Sequence, residues 1–592
     1  MRARVPGRIG CPLGVCVLPE QPWNAPRTTA YPGYVHEILS HAGLCYDSLA
    51  LDELADALGG LRILVTVGNC VLPDAAREAI TAWIESGGAW LSVAGVCGLD
   101  ALLGVSQQPP AYSAFGGGLG TLGEGYLLPE ASHPAALQIV IPLHFFNGVT
   151  VKPTTAARLA VCLDSHQRPT DHAALTEVSA GRGTAMLIAP DLTGAIVRIQ
   201  QGTAVTRDGV PAPDGTSPVC DGALKSDDGA VLDWHFDRQE VRGVPGYRAF
   251  LQPVADHWRE LLLRSIFYLA SRHEVSLPLL WLYPRNLPAL AHMSNDTDGN
   301  DADKARNTIR LLEQAGVKST WCVLTPGYGA DVAAEVREAG HELGMHYDAM
   351  SEECPWSEEQ FDAQWRRLVE LFGEQPVSNK NHYLRWEGDT EFFEWCVRRG
   401  IKLDQSKGAS KTGEAGFNFG TCHPHFPVDP TGAPIDVLEL PTLTQDLVIF
   451  APPDLAEPLL DSAVRCHGIL HVLFHPAHTQ TPGVAEALLS VAARAREQGM
   501  EWWTAKQISA WERARRRVVW GAWRESEDEV SVELRASDPM RDATLIWLAV
   551  GTASGQGRRV CRWGFEFVSQ VIDLEAGRPC RFGCSRASGE RE

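Results

Sequence analysis

Two stretches of this chain alternate short apolar runs with amphipathic helical stretches, and that alternation limits the fold more than any other feature. In the first stretch, Gly14 to Leu18, LRILVTVG and AWLSVAG read as buried strands. Between them, Val35, Ile38 and Leu39 recur at helical spacing and stop at Gly43. Ala76, Ile80 and Trp83 share a second helical face, which ends at Gly87-Gly88. In the second stretch, from about 290 to 515, the apolar segments VKSTWCVL, IKLDQS and HGILHVLFHP lie between helices. Asp303 to Ala315 is one of these, stopping at Gly316, and another is opened by Ser357 with Gln360 as a capping box. Strands separated by helices and short connections pair in parallel. The expected fold class is therefore α/β, with an N-terminal doubly wound parallel sheet followed by a parallel β/α barrel that closes or nearly closes.

A chain of 592 residues is too long for a single core. The expected division is residues 1–275, with a loop-rich or β-rich insertion at about 106–250, then 276–516 as the barrel. Residues 517–592 follow as a small C-terminal β domain, because VSVELRAS and ATLIWLAV alternate with period two. The tail after Gly551 changes composition and is expected to be disordered or poorly packed.

Net charge narrows the partners. With 52 basic against 73 acidic residues the chain carries −21, which repels nucleic acid and anionic membrane surfaces. No apolar run is long enough for a membrane span. The N-terminal apolar run is broken by Pro12 and Gly14 and reads as a strand rather than a signal peptide, so a cytoplasmic protein is expected. The 15 cysteines form no CxxC pair, and most read as buried thiols.

Metal-capable side chains recur at consecutive strand ends of the second stretch. They are Asp296 and Asp298 in NDTDG, His341 and His346 in GHELGMHYDAM, His382 and Arg385 in NHYLRWEG, Asp404 in LDQS, and His475 in LFHPAH. In an extended D-x-D both carboxylates point the same way, which offers one for a metal and one for proton transfer. His341 reads as structural. His382 is open between ligand and loop-fixing donor, and Asp404 between site and turn cap. Trp386, Glu387 and Tyr347 are candidate substrate contacts, although Trp386 reads as core ahead of a sugar platform. His423 and His425 sit in a Pro-flanked loop expected to line the cleft.

Taken in order, AHMSNDTDG, AGHELGMHYD, LRW, LDQS and VLFHP resemble the five motifs of the polysaccharide deacetylase family, carbohydrate esterase family 4, over about 225 residues. That resemblance implies a distorted β/α barrel and a metal-dependent hydrolase of N-acetyl amide bonds on a carbohydrate. It implies Asp298 and His346 as metal ligands, Asp296 as general base and His475 as general acid. Arg385 and Asp404 would position and tune them. The ion implied is Zn²⁺, with Co²⁺, Mn²⁺ or Fe²⁺ also compatible with N/O ligation. The family's second motif has a further His four residues on, but Met350 stands there, and a thioether is a poor ligand for such ions. Either His382 or Asp348 completes the site, or the barrel is a degenerate carbohydrate-binding scaffold. Glycoside hydrolysis by Asp296 or Glu387 with a second carboxylate is a third reading.

Residues of about 10–105 resemble the glutamine-amidotransferase-like domains of flavodoxin type that accompany carbohydrate-active enzymes. Here Gly95-Val96-Cys97-Gly98-Leu99 lacks the last Gly of the nucleophile turn, and no H-x-E partner pair follows in that half. The reading is a scaffold that presents substrate or mediates homo-oligomer formation.

Overall fold

The computed structural model describes residues 8–19, 31–108, 123–130, 132–209, 215, 222–550 and 557–585. The chain is mixed α/β and divides into two compact units. The described residues of Arg198–Asp256 and Leu287–Glu512 form one, and those of Ala3–Val197, His257–Asn286 and Arg513–Glu592 form the other. Residues 198–256, expected to belong with the N-terminal domain and its insertion, thus group with the barrel segment.

The unit that carries 287–512 is built on a curled parallel sheet. Its strands run in the order Leu438–Glu439, Leu403–Asp404, Ser378–Asn381, Glu342–Tyr347, Thr320–Leu324, Leu290–Asp296, Ile469–Leu473 and Thr444–Gln445. A ninth strand, Glu501–Trp502, pairs with the start of Leu290–Asp296. Among the described residues no ladder joins the two ends of this order, so the sheet is a half-barrel rather than a closed one. The helices outside it form for the local reasons read from sequence. Asp301 caps Ala302–Ala315 by accepting from the backbone N–H groups of Asp303 and Lys304, and Gly316 ends it at φ 65°. Ser357 caps Glu358–Phe372 through the N–H of Gln360.

An aromatic layer lies between helices and sheet. Trp356, Phe361, Phe392, Phe393 and Trp395 pack about Trp386, with ring centroids of Trp386 and Phe393 5.0 Å apart. The inner face of the sheet is polar instead. His292, Ser294, Lys380, Gln405 and His471 are all inaccessible to solvent.

In the other unit, the parallel part of a nine-stranded sheet runs Asp47–Leu49, Leu13–Val17, Ile63–Val67, Ala89–Val93 and Gly183–Ile188. Antiparallel strands Pro169–Ala180, Ala157–Asp164, Gly125–Pro129 and Leu143–Phe145 extend it. Two smaller antiparallel sheets hold the C-terminal strands. The tail expected to be poorly packed forms Arg558–Arg562, Phe565–Leu574 and Pro579–Ser585, each paired with a neighbour over five or more residues. Arginines around Val560, and Glu566 between Phe565 and Phe567, hide a strand pattern that overall composition does not reveal. No helix of the described residues is long and apolar enough to cross a membrane.

Candidate metal centre

All strands of the half-barrel run parallel, so their C-terminal ends share one edge, and the register decides who meets there. His346 aligns with Leu324 on one side and Lys380 on the other, while Asp296 aligns with Cys322. The turns that follow are strained. Among non-glycine residues with positive φ, Asp298 (26°), Tyr383 (56°), Leu384 (54°), Asp446 (33°) and Val448 (87°) all fall just after these strands. Such backbone costs about 1–3 kcal/mol per residue and persists where packing over-determines it.

Three side chains offer ligand atoms to one point. An oxygen of Asp298 and one ring nitrogen each of His346 and His382 lie within 4.8 Å of one another. His346 Nε2 is 3.5 Å from Asp298 Oδ1, and His382 Nε2 is 3.8 Å from it. The rings are aimed from behind. Nδ1 of His346 donates to the Lys380 carbonyl at 2.8 Å, and Nδ1 of His382 lies 3.0 Å from Asp348 Oδ1. Each Nε2 is thereby left as the coordinating nitrogen, the usual arrangement behind a ligating imidazole. Asp298 Oδ1 and His346 Nε2 are buried without a hydrogen-bond partner, a costly state for polar atoms unless something else binds there. This donor set of one carboxylate and two imidazoles fits a divalent cation.

The electrostatics are those of a cation site. Burial pushes the Asp298 carboxyl up, but the close approach of His346 and the charges of His346, His475 and His382 hold it well below the usual range. For His346, burial favours the neutral ring, yet Asp296 and Asp298 outweigh it and raise its proton affinity.

Two further groups flank this point. Asp296 is buried, with Oδ2 3.7 Å from His346 Nε2 and Oδ1 3.6 Å from Lys380 Nζ. His475 Nε2 is 3.6 Å from Asp298 Oδ2, and its Nδ1 is hydrogen-bonded to Asp446 Oδ2. The same oxygen takes Nδ1 of His478 at 2.8 Å. Burial opposes protonation of His475, but the bond to Asp446 and the charges of Asp446, Asp296 and Asp298 push it up to about 9.

Several expectations are redirected. Arg385 bonds Glu387 and the Leu224 carbonyl, and Asp404 bonds Asn379 and Ser406, so the contacts to Asp296 and His475 come from Lys380 and Asp446 instead. Trp386 and Tyr347 are fully buried and cannot meet a substrate, because the aromatic layer claims both. Glu387 is taken by Arg385. The exposed ring at this edge is Tyr383, 58% accessible, 4.7 Å from the His382 ring. His341 accepts from Ser319 as a structural residue, and His423 and His425 are buried rather than lining an open cleft. Asp348 stands behind His382, and Met350 only donates its backbone N–H to Asp348. Sequence reasoning missed Lys380, Asp446 and His478. His478 follows His475 by three residues in HPAH, but Lys380 in SNKN and Asp446 after a two-residue strand carry no apolar pattern.

No protein-family model matches the sequence, and no curated protein matches it. Solved structures do. A Mycobacterium smegmatis protein assigned as a polysaccharide deacetylase is 17% identical, over 39% of this chain and 93% of its own, with a TM-score of 0.31. The peptidoglycan deacetylase PdaC of Bacillus subtilis is 14% identical over 39% and 94%, with a TM-score of 0.26. The β-galactosidase of Rahnella sp. R3 is 14% identical over 32% of this chain and 30% of its own, with a TM-score of 0.25. The structural neighbours thus include polysaccharide and peptidoglycan deacetylases.

Proposed function

We propose that this chain is a metal-dependent amide hydrolase that removes N-acetyl groups from a carbohydrate. The observation that carries the reading is the convergence of Asp298, His346 and His382, with Asp296 and His475 on either side of them. Asp298, His346 and His382 hold the divalent ion. When bound, the ion supplies Lewis acidity that polarises the amide carbonyl, which is otherwise a poor electrophile. Asp296 takes the proton from the attacking water. His475 gives a proton from Nε2 to the departing amine, and Asp446 on Nδ1 holds the ring in place and stabilises its charged form. Tyr383 offers the sugar ring an apolar face. The other unit serves assembly or substrate presentation, as a glutamine-amidotransferase-like scaffold. Its Cys97 does not serve as a nucleophile, since burial pushes the thiol up to about 11 and its polar neighbours are Ser92 and Thr66.

The test is metal content of the purified protein together with acetate release from N-acetylglucosamine oligomers. Bound zinc near one per chain and acetate release that Asp298→Ala abolishes are expected. No metal, or acetate release unchanged by Asp298→Ala, overturns the reading. New reducing ends without acetate would assign glycoside hydrolysis instead.

A further inference from the structure

The two carboxylates of the D-x-D segment have different surroundings, and the difference begins inside the half-barrel. Asp298 faces three imidazoles. Asp296 faces one of them and, on its other oxygen, the ammonium of Lys380. Lys380 has no accessible surface, and a buried ammonium is tolerated only with an opposing charge and hydrogen bonds close by.

Both are present. Lys380 Nζ donates to Ser294 Oγ at 2.6 Å, and Ser294 Oγ lies 3.0 Å from His471 Nε2. Nδ1 of His471 lies 3.0 Å from the Pro441 carbonyl and can only donate to it. That fixes the direction of the whole chain. With its proton on Nδ1, a neutral His471 accepts at Nε2 from the Ser294 hydroxyl, whose oxygen then accepts from Lys380. Burial, His292 and Lys380 itself all hold the His471 ring neutral. Every donor points away from the ammonium, and the carboxylate left to oppose its charge is Asp296 at 3.6 Å. Ser294 and His471 lie on neighbouring strands, two strands stand between Ser294 and Lys380, and all the side chains except Asp296 are fully inaccessible.

We infer that Lys380 is the positioning residue of this site: through a buried Lys380–Ser294–His471 chain it holds the Asp296 side chain aimed, and keeps it apart from Asp298 in role. Asp298 is left to the cation, and Asp296 is left to move a proton. No arginine is needed for this, which accounts for Arg385 being engaged by Glu387 and Leu224. The inference rests on the hydrolase reading for what Asp296 does, but the ion pair itself stands without it.

The experiment has two arms, on the full chain. In the first, thermal midpoints of chelator-treated protein are measured for Asp296→Asn, Lys380→Met and the double variant. Each single leaves one buried charge unopposed, whereas the double leaves none. The double is therefore expected to recover at least half of the larger single loss in midpoint. A double as low as the summed singles overturns the pairing. Should a single variant fail to fold, soluble recovery of the double against insolubility of that single reads the same coupling, and an insoluble double overturns it. In the second arm, Lys380→Met is expected to keep the parent's zinc stoichiometry and a KM within about twofold while kcat falls a hundredfold or more. Lys380→Arg is expected to restore part of kcat. Loss of zinc in step with kcat, or no rescue by arginine, overturns the positioning role. A parent protein without zinc or turnover would sink the hydrolase reading alone, since the first arm judges the pair without either.

Discussion

Replacing Asp348 by alanine tests the ligand set where it departs most from the family pattern. Oδ1 of Asp348 lies 3.0 Å from Nδ1 of His382, and that contact keeps Nε2 turned towards Asp298 at 3.8 Å. Hydrogen bonding to His382 also lowers the Asp348 carboxyl below its ordinary range, so it acts as an anion. Removing such a partner behind a ligating imidazole weakens metal affinity about 10–100-fold, or roughly 1.4–2.7 kcal/mol. The number of sites should not change, because His382 remains. His382→Ala removes the ligand and should cost more than Asp348→Ala. Met350→Ala should bind as the parent does, since Met350 reaches Asp348 through its backbone N–H, which alanine keeps. The assay is Zn²⁺ titration of chelator-stripped protein against a competing chromophoric chelator. Parent-like affinity in Asp348→Ala and His382→Ala, or a tenfold loss in Met350→Ala, would refute the assignment of His382 as the third ligand.

Three other outcomes follow from the same structure. Burial lowers both His292 and His341 from 6.5 to about 4, so the unfolded chain binds their protons more readily. Stability present above about pH 6.5 is thus lost as the pH falls towards 4, on the order of 3 kcal/mol per histidine; a urea midpoint that stays flat between pH 6.5 and 4.5 would contradict this. With its thiol near 11, Cys97 should resist iodoacetamide in native protein at pH 8, where only about one thiol in a thousand is ionised, and react after unfolding. Rapid stoichiometric labelling of the native chain, read by mass spectrometry, would count against a buried scaffold cysteine. Trp386→Ala should cost about 3–5 kcal/mol of stability through the emptied aromatic layer and the lost contact with Lys407 Nζ, 3.8 Å from the ring. A sugar platform would instead lose affinity at little cost in denaturant midpoint.

What the sequence made legible divides along physical lines. Asp296, Asp298, His346 and His475 were found because each ends or follows an apolar strand of five to seven residues, long enough for the pattern to locate the strand end. Ser378–Asn381 and Thr444–Gln445 are short and polar, so Lys380 and Asp446 had no such marker. Motif order pointed to Arg385 and Asp404, but order says nothing of which neighbour a side chain meets. Glu387 is two residues from Arg385, and Ser406 two from Asp404, and these near partners prevail. Trp386 shows the same limit, since an aromatic at a strand end has one spacing whether it turns inward or out. Membership of a unit was hidden too, because nothing in the polar, Gly-rich run of 198–256 announces that Leu224 will bond Arg385 and Trp386.

That last arrangement has a consequence for synthesis. Among the described residues the chain passes between the two units four times, at about residues 198, 257, 287 and 513. On the ribosome, the half-barrel unit is complete once Glu512 has emerged, although it begins second. The unit begun first must wait, with Pro278–Leu280 unpaired until Met540–Leu548 arrives to form its ladder. Order of synthesis and order of completion are therefore reversed, and the half-barrel has everything it needs to fold while its predecessor is still unfinished.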